Sequence, residues 1–207
     1  MSSENGVLVV VSGFSGAGKG TVIKALLAEH HRYALSVSAT TRSPREGEVD
    51  GREYFFVSKE KFEEMIAEDQ LLEHARYVDN YYGTPKQYVF RQMADGKDVI
   101  LEIEIQGALA IKEKFPEAIL IFITPPSADE LKARLTGRGT ETEEQIAKRL
   151  HRASEEAHWI RSYDYLLVND KLETCVETLH ELIQMQHMRV SSSLEFISQM
   201  KTELKNL

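Results

Sequence analysis

The sequence predicts an α/β protein: one parallel sheet flanked by helices, carrying a small mixed β insert and a helical lid. Three observations lead there. Short runs that are apolar on both faces, at 7–12, 98–106 and 119–123, alternate with segments of helical period, the pattern of buried parallel strands joined by crossover helices. The first run leads straight into a glycine-rich turn, GFSGAGKGT at 13–21, which opens a helix. From 36 to 96 the composition shifts to hydroxyl, β-branched and turn-forming residues, the mark of short strands and loops inserted into the larger sheet.

Taken in order, 7–12 is a buried strand and 19–30 a helix with apolar residues at Val22, Ile23, Leu26 and Leu27. Pro44, Gly47 and Gly51 break 36–56 into short pieces. Ser58 opens a helix whose Phe62, Met65 and Ile66 share one face. Two short strands are expected within 71–82, then a helix over 85–94 closed by Gly96. The strand at 98–106 carries the acids Glu102 and Glu104, and a helix over 108–115 stops at Pro116. After the strand 119–123, Ser127 caps a helix through Leu135. Segment 136–163 is polar and helical with few large apolar residues, so it is expected to project from the core as a mobile flap. A last strand at 165–168 precedes a helix over 172–188, and Leu194, Ile197, Met200, Leu204 and Leu207 form a stripe expected to pack on the body.

Size and charge bound the function. At 207 residues the chain suits one domain with subdomains, and 42% hydrophobic with 28% charged residues is ordinary for a soluble protein. A net charge of -8 argues against a nucleic-acid coat or a membrane-surface protein, so any phosphate binding must be local. The single cysteine, Cys175, excludes an internal disulfide and a cysteine metal cluster, and is expected as a small hydrophobe on a helix. Residues 1–6 lack Lys and Arg, and the apolar run after them is too short for a secretory core, so the cytoplasm is the expected location. The seven histidines show no paired metal-ligand spacing. Oligomeric state is not legible.

The turn at 13–21 has the chemistry of a phosphate cradle. Glycines let amide hydrogens curl inward, the helix presents its positive end, and Lys19 reaches the terminal phosphates. Gly20 stands where Ser or Thr ordinarily offers a hydroxyl toward magnesium, and Thr21 is the nearest substitute. A second phosphorylated substrate finds partners in the insert: the planar forks of Arg42 and Arg45 match phosphate oxygens, and the Tyr54 and Tyr82 hydroxyls complete the grip. Glu48 and Glu73 add acids to this phosphate pocket, which makes sense if they face hydrogen-bond donors. Guanine presents a donor pair, N1–H and the 2-amino group, that one carboxylate accepts; adenine presents an acceptor at N1 and leaves such a carboxylate unpaired.

The glycine loop, SATTRSPREGE at 38–48, Gly51 with Tyr54-Phe55-Phe56, Asn80-Tyr81-Tyr82-Gly83-Thr84, and Arg134 with Gly137-Arg138-Gly139 together resemble guanylate kinase over about 7–170. The resemblance implies a five-stranded P-loop sheet with core 1–35, 97–133 and 164–207, a GMP-binding insert at about 36–96 and a lid at about 134–163. It implies transfer of phosphate from ATP to GMP, and to dGMP, in purine nucleotide metabolism, with Mg2+ as cofactor. Residue by residue, ATP contacts fall on Gly13, Ser15, Gly16, Ala17, Gly18, Lys19, Gly20, Thr21 and Arg134. Guanine contacts fall on Ser38, Glu73, Thr84 and Glu104, and GMP-phosphate contacts on Arg42, Arg45, Tyr54 and Tyr82, with Glu48 beside them. Lys19, Arg138 and Arg149 serve the transferred phosphoryl group, and Thr21 and Glu102 are the candidates for magnesium through water. Glu102 and Glu104 stand where aspartates are common in the family. A small kinase acting on a ribose bisphosphate, or a non-catalytic phosphopeptide-binding domain of the same fold, are the alternative readings.

Overall fold

The computed structural model describes residues 5–77, 79–137 and 142–207. The main sheet is parallel throughout, ordered β2 (Tyr33–Leu35), β7 (Asp98–Glu102), β1 (Leu8–Gly13), β8 (Ile119–Thr124) and β9 (Tyr165–Val168). Val9, Val10 and Val11 of β1 and Leu120, Ile121 and Phe122 of β8 are fully buried, because helices cover both faces. Each such side chain contributes about 1.5–3 kcal/mol relative to exposure. On one face, α1 (Lys19–Glu29) and α7 (Leu172–Gln186) pack together, with Val22, Ile23 and Leu26 meeting Val176 and Leu179 in the largest core cluster. The opposite face is covered by α3 (Lys86–Ala94) and α4 (Ile105–Lys114), whose Val89, Ala108 and Ile111 lie on Val10, Val99 and Leu101. Cys175 is buried in α7, in the role expected of it.

The insert is a four-stranded mixed sheet, β4 (Tyr54–Phe56), β3 (Ser38–Thr40), β6 (Asn80–Pro85) and β5 (Leu71–Tyr77), with β3 and β4 parallel and the other pairs antiparallel. Its own core is small: Ala39, Leu71, and Phe62 and Met65 from α2 (Lys59–Ala67). Ser58 caps α2 by accepting from the Lys61 amide, and Ser127 caps α5 (Ala128–Thr136) by accepting from Glu130.

Five elements differ from the sequence reading. β2 is three residues long, too short for any periodicity to signal, and exists because β7 supplies its ladder. The strand expected over 98–106 ends at Glu102, where its register with β1 ends at Val11. Glu104 is therefore not a strand acid but the N-cap of α4, which starts at Ile105 rather than 108. The apolar residues at 103 and 105 suit either a strand alternation or the approach to a helix, and burial of Ile105 under the sheet decided for the helix.

The polar segment after Thr136 is tied to the body more firmly than its composition suggests. Ile146 and Ala153 of α6 (Glu143–Glu156) are buried in the main core cluster, with Leu150 and Ile160 against it. The C-terminal stripe reverses its expectation: Leu194, Phe196 and Leu204 of α8 (Leu194–Lys205) are more than 60% exposed, and no residue of that helix is buried. Among the described residues, no helix is long and apolar enough to cross a membrane.

Candidate active site

β1 delivers the chain to the glycine loop at the carboxyl edge of the main sheet, where open α/β folds place their ligands. The loop returns into α1 through Gly18, whose φ of 87° is left-handed; an added Cβ would also stand 2.6 Å from Asn169 Nδ2. Both constraints call for glycine. The buried Asn169 donates from Nδ2 to the Ala17 carbonyl at 2.8 Å, and Arg134 donates from Nη2 to the Asn169 carbonyl at 2.9 Å and from Nε to Glu130 at 2.7 Å. Arg134 thus reaches the loop from behind, through Asn169 and directly from Nη1 to the Ala17 carbonyl at 3.5 Å. Lys19 folds back over the loop and donates to the Gly13 and Phe14 carbonyls at 2.7 and 3.2 Å. Ser15, Gly20 and Thr21 are exposed at the loop and first helical turn.

Glu102, at the end of β7, stands beside this turn: a Cβ on Gly20 would lie 3.7 Å from its Oε2. Solvent reaches the Glu102 side chain, yet the protein mass around its carboxyl raises the pKa above the usual glutamate range, with Lys19 pulling the other way. Glu102 and Thr21 offer hard oxygen donors, the kind magnesium takes alongside water and substrate phosphate. Among the described residues no group of three or more His, Cys, Asp or Glu could hold a metal ion by itself.

The insert presents a different surface. Arg42 follows β3, its Nη2 on Glu48 Oε1 at 2.9 Å, its guanidinium 5.4 Å from the Tyr54 ring centre and 5.7 Å from that of Phe56. The Arg45 amide donates to Glu48 Oε2 at 2.7 Å, while the Arg45 side chain is exposed. The hydrogen bond from Arg42 first, and that from Arg45 second, hold the Glu48 carboxyl below the usual range. The Tyr54 and Tyr82 rings meet edge to face at 6.0 Å. Ser38 pairs in register with Tyr54. Arg42, Arg45, Glu48, Tyr54 and Tyr82 are therefore gathered in one place, from positions up to forty residues apart.

Glu73 on β5 is 9% exposed, and its Oε1 accepts from the buried Thr84 hydroxyl at 2.7 Å. Burial raises its pKa, partly offset by the hydrogen bonds from Thr84. Between the two halves lies a cleft of about 400 Å³ lined by Ser12, Gly13, Lys19, Tyr54, Glu102, Glu104 and Glu156. Lys19 and Tyr54 share that space; Glu73 and Thr84 do not line it.

From α6, Arg149 Nη1 donates to Ser15 Oγ at 3.0 Å, and Arg152 donates from Nη2 to Glu104 Oε2 at 2.6 Å and from Nε to Glu156 at 2.8 Å. One helix thus touches the glycine loop and the Glu104 side at once. Arg138 lies outside the described residues. Sequence reasoning gave no role to Arg152 or Glu156, and it read Asn169 as either a contact on the adenine side or a turn former, not as the loop brace it is. Arg152 was within reach, since it follows Arg149 by three residues and shares its helix face; the partner of Asn169, 152 residues away, was not.

Comparison with known proteins places the chain in one family. The sequence model of the family described as Guanylate kinase matches residues 5–186. A guanylate kinase of Caldanaerobacter subterraneus is 49% identical over 200 residues, covering 97% of each chain. One from Clostridioides difficile is 53% identical over 191 residues, covering 92% of this chain and 93% of the other. The crystal structure of guanylate kinase from Anaplasma phagocytophilum superposes with a TM-score of 0.73 at 30% identity, covering 95% of both chains.

Proposed function

The chain belongs to the guanylate kinase family, and from that premise we propose that it transfers the terminal phosphoryl group of ATP to GMP, giving ADP and GDP. The observation that carries the acceptor assignment is the buried Glu73 carboxylate held by Thr84, two residues along β6 from Tyr82 of the Arg42 cluster. A carboxylate keeps acceptor capacity after one hydrogen bond and suits the N1–H and 2-amino pair of guanine; adenine offers no such pair.

In this reading the loop from Gly13 through Gly18 to Gly20 holds the donor phosphates, with Arg134 keeping its back in place. The guanidinium forks of Arg42 and Arg45 and the hydroxyls of Tyr54 and Tyr82 hold the acceptor phosphate. Ser38, Thr84 and Glu104 complete the base contacts, and Glu48 orients Arg42. The acceptor is already an anionic phosphate oxygen, so no general base is needed; alignment and neutralisation of charge lower the barrier. Lys19 swings from its loop carbonyls to the transferred group, joined by Arg138 and by Arg149, which now rests on Ser15. The lid at about 134–163 closes over the phosphates and excludes water. Mg2+ bound with ATP would neutralise charge on the transferred and leaving phosphates. Glu102 and Thr21 would meet it through water.

ADP release measured with GMP, dGMP, AMP and ribose phosphates as acceptors tests the assignment. GMP and dGMP are expected to support turnover at least about a hundredfold better than AMP, the order of discrimination that an unpaired buried polar group brings. Equal rates with AMP and GMP would overturn the guanine reading, and preference for a ribose phosphate would replace it.

A further inference from the structure

We propose that Gly107, in the first turn of α4, is a specificity-determining position that acts through Glu73. The inference deepens the guanine reading and rests on it. Glu104 caps α4, so Gly107 is the third helical residue, where the helix passes alongside β5. A Cβ built on Gly107 would stand 3.1 Å from Glu73 Oε2, 3.5 Å from the carboxyl carbon and 3.2 Å from the tip of Ile103. Ile103 is a flexible tip that can turn aside. The Glu73 carboxylate has less freedom: Thr84 holds its other oxygen at 2.7 Å and the side chain is buried.

Neither backbone can retreat. α4 is anchored by Ile105, Ala108 and Ile111, all buried in the cores against the main sheet, and β5 is anchored by Leu71 and Leu72, which are likewise buried. Interiors packed at this density transmit a small displacement rather than absorb it. A methyl group at 107 would therefore move the carboxylate by a few tenths of an ångström, against its bond to Thr84.

Glycine is not required here by the chain itself. Gly107 is absent from the positive-φ glycines and sits in ordinary helix, where alanine is the better residue. What glycine uniquely supplies at 107 is room beside Glu73. The same approach sets that carboxylate against the amino-terminal turn of α4, whose partial positive charge offsets part of the cost of burying an anion. Gly107 thus lets a carboxylate be both buried and fixed, the condition under which a carboxylate discriminates between bases.

The test is Gly107→Ala in the full chain, assayed for ADP release. KM for GMP should rise about tenfold, the order of one impaired charge-assisted hydrogen bond, while KM for ATP and kcat at saturating GMP stay within about twofold. The GMP-to-AMP preference should fall by the same factor, and the thermal midpoint should hold or rise. Glu73→Asp in the Gly107→Ala background, shorter by one methylene, should lose less than the two single changes combined. An unchanged KM for GMP, strict additivity in the double variant, or a lowered thermal midpoint each overturns the inference, the last because it would assign the space to the fold rather than to Glu73. Wild-type protein that does not prefer GMP would sink the base reading itself; a wild-type preference left intact in Gly107→Ala would sink this inference alone.

Discussion

In the main sheet, β1 and β8 are buried on both faces along nearly their whole length, and their neighbours are helices with wide apolar faces. In the insert sheet, β4 is only partly buried throughout, and the core beneath it amounts to four buried residues. The first sheet is held by burial; the second leans on polar contacts, among them Arg42 with Glu48, Thr84 with Glu73, and Thr40 with the Tyr81 carbonyl. The difference suits their tasks. A loop that grips a triphosphate through backbone amides gains from a rigid platform. A pocket that must read a base has to bury charged side chains, and each of those needs a fixed partner.

If the comparison holds, changes in the two halves should separate. The largest effect is expected for Lys19→Ala. Turnover should fall about a hundred- to a thousandfold, because a charge aimed at the transferred group is lost, while GMP binding measured by calorimetry stays within about twofold. Weakened GMP binding in that variant would show that the halves are not independent.

Phe62→Ala sharpens the contrast from the other side. Phe62 is fully buried and stacks on Tyr81 with ring centres 5.3 Å apart, so its loss should cost the insert about 3–5 kcal/mol. Amide hydrogen exchange should accelerate across 38–85 while β1 and β8 keep their protection. Uniform acceleration in both sheets would mean that they unfold as one unit.

The smallest effect concerns pH within the insert. Burial raises the Glu73 pKa, so on acidification it takes up a proton while an ordinary glutamate is still ionised, and GMP affinity should fall at that first step. The Glu48 pKa is lowered, chiefly by the hydrogen bond from Arg42. Its contribution to stability is therefore complete at neutral pH and is lost only as the pH drops below the ordinary glutamate range. Calorimetric GMP binding and near-ultraviolet circular dichroism, followed together down the pH scale, should show loss of affinity before loosening of the insert. Glu73→Gln should lack the first step. A single simultaneous transition would contradict the two environments described for these acids.

Much of this was legible in the residues. The phosphate loop announces itself by its glycines, its lysine and the strand and helix on either side, all contiguous. The gathering of Arg42, Arg45, Glu48, Tyr54 and Tyr82 was legible because hydroxyl, aromatic and guanidinium groups crowd one insert. Local periodicity placed α2, α3 and α5 together with the caps Ser58 and Ser127.

By itself, then, the sequence determined the strand and helix alternation, the loop and the crowding of guanidinium, hydroxyl and carboxyl groups in the insert, since these follow from short-range pattern and side-chain type. Only the tertiary structure decided the rest. It turned Glu104 from a strand residue into a helix cap facing Arg152, 48 residues away, and set Asn169 against Ala17, 152 residues away. It buried Glu73 against Thr84, left the α8 stripe in solvent, and brought α4 so close to β5 that a Cβ at 107 would stand 3.1 Å from Glu73 Oε2. Periodicity states which face of an element is apolar. What that face meets, and how near, is fixed by the packing of segments distant in sequence, and no local pattern encodes that distance.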